Sequence, residues 1–146
     1  MPPLPELDTF IALSQVLTGE NKLDKNLADE YLQRLKATNA DVMQQIAEEF
    51  NKIASDPYVD FEVKRRIVET KEKGKEKLPL MSQQIIRLWY TGEFFPIGAD
   101  GKLVANALAG TQKQYYSGLI WSVIQAHPPT NSTKKYGYWT KKPAAK

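Results

Sequence analysis

The chain has 146 residues, a length that fits one domain, and its 42% hydrophobic and 25% charged residues are typical of a globular protein. It has no cysteine and a single histidine, which excludes disulfides, thiolate metal sites, covalently attached haem and zinc sites of the usual His/Cys kind. The net charge of +3 is uneven, because residues 1–100 carry 13 basic and 17 acidic side chains whereas residues 101–146 carry seven lysines and no acid.

No membrane-spanning stretch and no export signal can be recognised in the sequence. No stretch approaches the ~20 apolar residues that a membrane-spanning helix needs. The opening "MPPLPELDTF" has neither a basic start nor an apolar run, so it does not match a secretory leader. The sequence therefore predicts no direct membrane span.

The first 55 residues predict three short helices after an extended lead-in over residues 1–7, which contains three prolines. Asp8 caps the first helix, and Gly19 suits its end. Asp24 caps the second helix and Asp41 the third. Apolar residues recur at helical spacing in all three, which predicts one buried face for each.

The middle of the chain predicts a short helix followed by a solvated segment. In "FEVKRRIVETKEKGKEK" the first half is helical, with Val63, Ile67 and Val68 facing inward. The charge run around Gly74 is interpreted as a solvated helix end or linker, since charges of alternating sign rarely form a binding patch.

The last third predicts helices separated by irregular chain. "LPLMSQQIIRLWYTG" (78–92) reads as a fourth helix, and "EFFPIGADGK" (93–102) contains a turn signal. Residues 103–126 are predicted to be a fifth helical region, interrupted at Gly110 or Gly118. A loop and an irregular C-terminal arm follow over residues 127–146.

The predicted fold is therefore all-α: a small bundle of four to five short helices, forming a single domain over residues 1–146, with an irregular C-terminal arm. Its predicted core consists of Phe10, Leu13, Leu17, Leu27, Tyr31, Leu35, Ile46, Phe50, Ile53, Ile85, Leu88 and Trp89.

The sequence offers little for catalysis. His127 precedes two prolines in a predicted loop, and the nucleophile motif G-x-S-x-G is absent. The adjacent Glu48 and Glu49 are expected on a solvent-exposed helix face, because acid–base carboxylate pairs need burial to separate their pKa values. No G-x-G-x-x-G phosphate loop occurs either. We therefore predict a protein that is not itself an enzyme and holds no cofactor or metal.

The C-terminal arm, "KKYGYWTKKPAAK" (134–146), combines lysines with large aromatic residues. One interpretation is a small basic nucleic-acid-binding protein, in which rings stack on bases beside a cationic groove. A second is a protein interface, where aromatic anchors dock while lysines steer the approach. A third is an arm that folds back on its own domain. The residues alone leave the second and third equally supported and favour both over the first.

Several motifs, in order along the chain, resemble one family. "LDTFIALSQVLTG" (7–19) followed by "LDKNLADEYLQRL" (23–35) is similar to the start of the mature small subunit of bacterial membrane-bound FAD-dependent sugar and polyol dehydrogenase complexes, such as those for sorbitol, fructose and glucose. "IIRLWYTG" (85–92) resembles the family's W-Y-x-G segment. "NALAG" (106–110) stands in place of its E-A-L-M-[FY], and "YGYWTKKP" (136–143) resembles its closing P-G-[FY]-W-x-x-K-P.

The resemblance implies a non-catalytic subunit that binds a large FAD-containing catalytic subunit. In the family a multihaem cytochrome c subunit commonly takes the electrons onward. The small subunit usually carries a twin-arginine leader and helps the flavoprotein mature and reach the periplasm, where the complex is membrane-associated. The residues expected to contact the flavoprotein are Trp89, Tyr90, Tyr136, Gly137, Tyr138, Trp139, Lys141, Lys142 and Pro143.

Three departures from the family pattern bear on this expectation. The sequence shows no twin-arginine leader, and position 136 is Tyr where the family tends to have Pro. The third concerns a cysteine that some relatives carry near the position of His127. This chain has none, so its association is predicted to be non-covalent.

Overall fold

In this computed structural model the structure describes residues 6–123, and of residues 122 and 123 the backbone alone. Within that range the chain is helical and forms no sheet, which confirms the predicted all-α fold class. The elements are α1 (Glu6–Thr18), α2 (Lys25–Ile53), α3 (Val59–Val63), a π-helical turn (Lys64–Val68), α4 (Lys77–Thr91), α5 (Gln112–Tyr116) and α6 (Leu119–Val123). Most of the predicted lead-in, His127 and the C-terminal arm lie outside the described residues.

The starts and ends of the first two helices follow from local sequence signals. Asp24 caps α2 as predicted, accepting a hydrogen bond of 3.0 Å from the backbone N–H of Leu27. Gly19 follows α1 with φ +76°, a left-handed conformation that favours glycine. However, α1 begins at Glu6, two residues before the predicted cap Asp8, so the predicted lead-in turns helical at its last two residues.

The predicted second and third helices are both present and meet at a kink at Asn39, within the range given for α2. The backbone of Asn39 is non-helical (φ −142°, ψ 59°), and the break lies two residues before the predicted cap Asp41. The side chain of Asn39 is buried and bonds to the backbone of Ile97, as described below. The interruption therefore serves a tertiary contact, which a local capping signal does not reveal.

The core lies between α1, α2 and α4. The ring of Trp89 on α4 stacks near Phe10 of α1, with centroids 6.5 Å apart, and meets the ring of Tyr31 on α2 edge-on at 4.9 Å. The predicted core residues are buried, apart from Leu17, which is half-buried. Phe94 and Ile97, which follow α4, complete the core from irregular chain and were not predicted to belong to it.

The prediction that Glu49 faces solvent is wrong. Its side chain is 3% exposed and lies 2.7 Å from Arg66, 3.1 Å from Lys75 and 3.7 Å from Lys52. Burial raises the pKa of Glu49, but the hydrogen bond from Lys75 and the nearby positive charges outweigh it, so the net shift of the pKa is downward. The charge run before α4 thus folds back to cover a buried carboxylate, instead of serving only as a solvated linker.

The predicted fifth helical region is only partly helical. The break at Gly118 is present, between α5 and α6, but residues 103–111 are not helical. They run back along the segment after α4, with antiparallel bridges between Phe94 and Leu108 and between Ile97 and Leu103. No helix among the described residues is long and apolar enough to span a membrane.

Candidate interaction surface

Residues 93–110 connect α4 to α5 and form what we call the anchored loop. It starts after Gly92, which ends α4 with φ +80°. Two hydrogen bonds join the backbones of Phe94 and Leu108, at 3.3 and 2.7 Å, and the N–H of Gly98 donates to the carbonyl of Lys102 at 2.7 Å. The loop therefore folds on itself, and its two ends lie side by side.

Arg34 of α2 holds both ends of the anchored loop. Its Nη1 donates to the carbonyl of Gly92 and to Oε1 of Gln114, each at 2.8 Å, and its Nη2 donates to the carbonyl of Leu108 at 2.9 Å. Its guanidinium carbon lies 5.2 Å from the centroid of the Phe94 ring. Burial lowers the pKa of Arg34, yet an arginine stays protonated in proteins, so a planar, charged fork joins three separate segments.

Gly110 closes the junction at Arg34. A Cβ atom on Gly110 would overlap Oε1 of Gln114 and would lie 2.6 Å from the carbonyl oxygen of Gly92 and 2.8 Å from Nη1 of Arg34. One of these atoms is backbone, and the two side-chain atoms are hydrogen-bonded to each other, so moving them would break the junction. The glycine that ends "NALAG" is therefore required by this close approach.

Two side-chain amides attach the interior of the anchored loop to the helices. Asn39 pairs with the backbone of Ile97 in both directions, with Nδ2 donating to its carbonyl at 2.8 Å and Oδ1 accepting from its N–H at 3.0 Å. Gln84 of α4 accepts from the N–H of Phe95 at 2.8 Å. These side-chain amides make the hydrogen bonds that a neighbouring β-strand would make in a sheet. They pair the N–H and carbonyl of Ile97 and the N–H of Phe95, which lie at least partly away from water.

Gln114 links α5 to the same junction. Thr111 and Gln114 form a reciprocal capping box at the start of α5. The Nε2 of Gln114 donates to Glu30 of α2 at 2.8 Å, and Lys113 lies 3.3 Å from the other oxygen of Glu30. The pKa of Glu30 is lowered, mainly by the hydrogen bond from Gln114 and to a smaller extent by Lys113. Burial raises the pKa, but by less than these two interactions lower it.

The outer side of this region carries exposed apolar side chains. Val104 is 38% exposed, Leu108 is 42% exposed and Tyr115 is 43% exposed, and we refer to these three as the loop surface. Trp121 of α6 packs against Tyr115. Its Nε1 donates to the carbonyl of Tyr115 at 2.8 Å, and the centroids of the two rings are 5.4 Å apart. The loop surface is thus apolar and exposed, and hydrogen bonds to the carbonyls of Leu108 and Tyr115 hold its backbone in place, which suits an interface with little ordering cost.

The predicted contact residues fall into three groups. Trp89 is 1% exposed and belongs to the core, so its ring has no free surface for direct contact. Tyr90 is half-buried, and its carbonyl touches Gly118, where a side chain would not fit. The remaining predicted contacts, from Tyr136 to Pro143, lie outside the described residues. Because α6 packs on α4, the last described residues lie beside the helix that carries Tyr90.

Arg34, Asn39 and Gln114 were not identified by sequence reasoning as organising residues. Each is a single polar residue with partners 58 to 84 positions away, as in the contacts of Arg34 with Gly92 and of Gln114 with Glu30. The one available signal was the pair of glycine-containing motifs "WYTG" and "NALAG", which meet at this junction.

The cavity between α1, α2 and α3 does not fit FAD. It has a volume of about 360 Å³ and is open to solvent. Its lining includes the carboxylate of Asp60 but no lysine or arginine, although the FAD pyrophosphate is anionic and needs donors or positive charge. Within residues 6–123 no three acidic or histidine side chains converge as metal ligands.

The fold and the anchored loop together define a small all-α protein with a preorganised, partly apolar surface. Compared with protein-family models, the chain matches the one described as membrane-bound FAD-containing D-sorbitol dehydrogenase over residues 2–143, and it belongs to that family. This confirms the resemblance read from the motifs. Searches of curated proteins and of solved structures gave no significant match. Membership supports an accessory role in an FAD-containing dehydrogenase complex.

Proposed function

We propose that this chain is a non-catalytic subunit that binds and stabilises the FAD-containing catalytic subunit of a sugar or polyol dehydrogenase complex. The contact is made by the loop surface, by Tyr90 and by the C-terminal arm. In the arm, Tyr138 and Trp139 act as anchors, and Tyr136, Gly137, Lys141, Lys142 and Pro143 extend the contact.

The observation that carries this proposal is the anchored loop. A surface loop with exposed Leu108 and Val104 would normally be variable and mobile. Here the side chains of Arg34, Asn39 and Gln84 form hydrogen bonds to the loop backbone. The loop is therefore fixed in a conformation that keeps apolar side chains exposed to solvent. Such an arrangement is useful where those side chains meet a partner, because the entropic cost of ordering them is met on folding.

The finer parts of the proposal come from the family. FAD resides on the catalytic subunit, which oxidises the sugar or polyol, and a multihaem cytochrome c subunit accepts the electrons. The complex is periplasmic and reaches the membrane through its other subunits. In this scheme the small subunit assists maturation and export of the flavoprotein.

The test is co-purification of the tagged chain with the FAD-containing dehydrogenase subunit from the same organism, followed by absorbance of the eluted flavin. We expect a stoichiometric complex and no flavin on the isolated chain. Leu108→Asp should weaken it strongly, because a charge would be desolvated in an apolar contact. Leu108 is 42% exposed, so the isolated variant should remain folded.

The matched control is Ala105→Asp, at an exposed position of the same loop that lies outside the loop surface. It should leave the complex intact. Sugar oxidation by the isolated chain, or salt-dependent retention on DNA without any flavoprotein binding, would contradict the proposal. The second outcome would favour the nucleic-acid interpretation of the lysine-rich arm.

A further inference from the structure

Two large aromatic side chains at the start of α3 are more exposed than the other large hydrophobic residues described. Tyr58 is 72% exposed and Phe61 is 61% exposed. Single exposed apolar residues are common on soluble proteins, but two aromatic rings three positions apart on one helical turn form a local patch. They do not belong to the anchored loop and need a separate explanation.

The backbone presents these two rings in a fixed way. After the Asp56–Pro57 turn, the N–H of Tyr58 donates to Oδ1 of Asp56 at 2.7 Å, and the carbonyl of Tyr58 accepts from the N–H of Glu62 at 3.0 Å. Val63, two residues after Phe61, is buried and attaches α3 to the core. The rings are therefore held outward by an ordered turn.

A groove lies beside the rings. It is the open cavity of about 360 Å³ between α1, α2 and α3. Its wall is mixed, with apolar side chains from Ala12, Val16, Phe50, Ala54 and Val59 and polar ones from Gln15, Asn21 and Asp60. Such a volume accommodates one or two side chains of another molecule. The groove adjoins the segment that carries the rings, because its wall includes Val59 and Asp60 of α3, although Tyr58 and Phe61 do not themselves line it.

Two carboxylates belong to this feature. Asp56 and Asp60 flank Tyr58 in the sequence and form no ion pair with any described residue. The nearby arginine Arg65 is already paired with Glu62 at 2.7 Å. We call Asp56, Tyr58, Asp60 and Phe61, together with the groove, the α3 surface. Carboxylates without an ion-pair partner among the described residues, beside exposed rings, match a cationic side chain, which is attracted by both the charge and the ring face.

We propose that the α3 surface docks a basic segment of the FAD-containing subunit, with an arginine or lysine over the rings and its neighbouring apolar residue in the groove. This inference rests on the proposed function and adds a second contact to it, separate from the loop surface. The carboxylates disfavour an anionic lipid surface as the occupant, because they would repel its headgroups.

The experiment measures the dissociation constant of the purified chain and FAD-containing subunit by titration at low and high salt. The double variant Tyr58→Ala/Phe61→Ala should raise the constant about thirtyfold, as expected for hot-spot aromatics. Asp56→Asn/Asp60→Asn keeps the acceptor for the N–H of Tyr58 and removes two charges. It should slow association and flatten its salt dependence.

The control is Glu48→Gln, a charge change at an exposed carboxylate on α2 outside the α3 surface, and it should leave binding unchanged. A complex that forms equally well with both double variants would overturn this inference while leaving the proposed function intact. If the wild-type chain forms no complex, both fail. Binding of the wild-type chain to vesicles of anionic phospholipid, lost in Tyr58→Ala/Phe61→Ala, would also overturn it.

Discussion

The guanidinium of Arg34 lies 2.8 Å from the carbonyl oxygen of Gly92, although the two residues are 58 positions apart. Gly92 ends α4 in a left-handed conformation (φ +80°), and this backbone turn points its carbonyl toward α2. The same arginine reaches Leu108 and Gln114. The Arg34 guanidinium therefore contacts both the end of α4 and the start of α5.

Arg34→Lys should destabilise the chain by about 2 kcal/mol. A lysine ammonium is a point charge without the planar fork, so it cannot satisfy Gly92, Leu108 and Gln114 together, and a buried acceptor left unpaired costs free energy. Urea denaturation gives the free energy of unfolding, and hydrogen exchange reports on residues 93–110. Arg65→Lys, at an exposed pair with Glu62, is the control and should change little.

Gly110→Ala should release the anchored loop at its second end. The added Cβ would crowd Gln114, Gly92 and Arg34, and overpacking of this kind typically costs about 1–3 kcal/mol. Gly74→Ala is the comparison, because its Cβ meets nothing within 4 Å and the change adds only the strain of a left-handed residue. Faster hydrogen exchange in residues 93–110 should occur in Gly110→Ala alone. Equal exchange in both variants would show that the close approach is unimportant.

Glu49→Gln should lower the free energy of unfolding at neutral pH by about 2 kcal/mol. The amide cannot neutralise Arg66 and Lys75, and the loss is moderated because both cations remain partly exposed to water. The exposed neighbour provides the control Glu48→Gln, which should be nearly neutral.

The effect of Glu49→Gln also depends on pH. The pKa of Glu49 is lowered in the folded state from its ordinary value of 4.5. Its contribution to stability is therefore fully present above pH 4.5 and is lost as the pH falls from there through the folded-state pKa. The difference between wild type and variant should shrink on acidification in urea titrations between pH 7 and 3. A difference that stays constant over that range would show that the carboxylate charge is not responsible.

Two tryptophans should respond to substitution in opposite ways. Trp89→Ala removes a buried ring that packs against Phe10 and Tyr31, and should cost the isolated chain about 3–5 kcal/mol. Trp139→Ala should leave the melting temperature of the isolated chain unchanged and weaken the complex with the flavoprotein by about 2 kcal/mol. A lowered melting temperature with unchanged affinity would instead place Trp139 in this domain's own core.

The helices could be predicted because their determinants are local. Caps such as Asp24, the stop at Gly92 and apolar residues at helical spacing, for example Ile46 and Phe50, lie within a few positions of one another. The burial of Glu49 could not be predicted in this way. Its partners Arg66 and Lys75 come from later segments, and a charged residue on a polar helix face looks the same whether water or a returning chain covers it.

The candidate surface was predicted less well than the fold. The motifs ending in Gly92 and Gly110 were noticed for their family likeness, but their meeting at Arg34 depends on contacts across the chain. A helical pattern over residues 103–111 was misleading, because alanine and leucine favour helices while pairing with Phe94 overrides that preference. Phe61 was predicted only as part of a short helix, and Tyr58, which follows a proline, was assigned to no element.

The position of the kink at Asn39, ahead of the anchored loop in the sequence, bears on the order in which the two can fold. Arg34, Asn39 and Gln84 all precede the loop that they hold, so the groups that receive it leave the ribosome first. During synthesis the loop can dock onto helices that already exist, without waiting for later chain. In pulse-labelled refolding we expect amide protection in α2 and α4 to appear before protection of the N–H of Ile97, because that amide gains its acceptor only when the kink has formed.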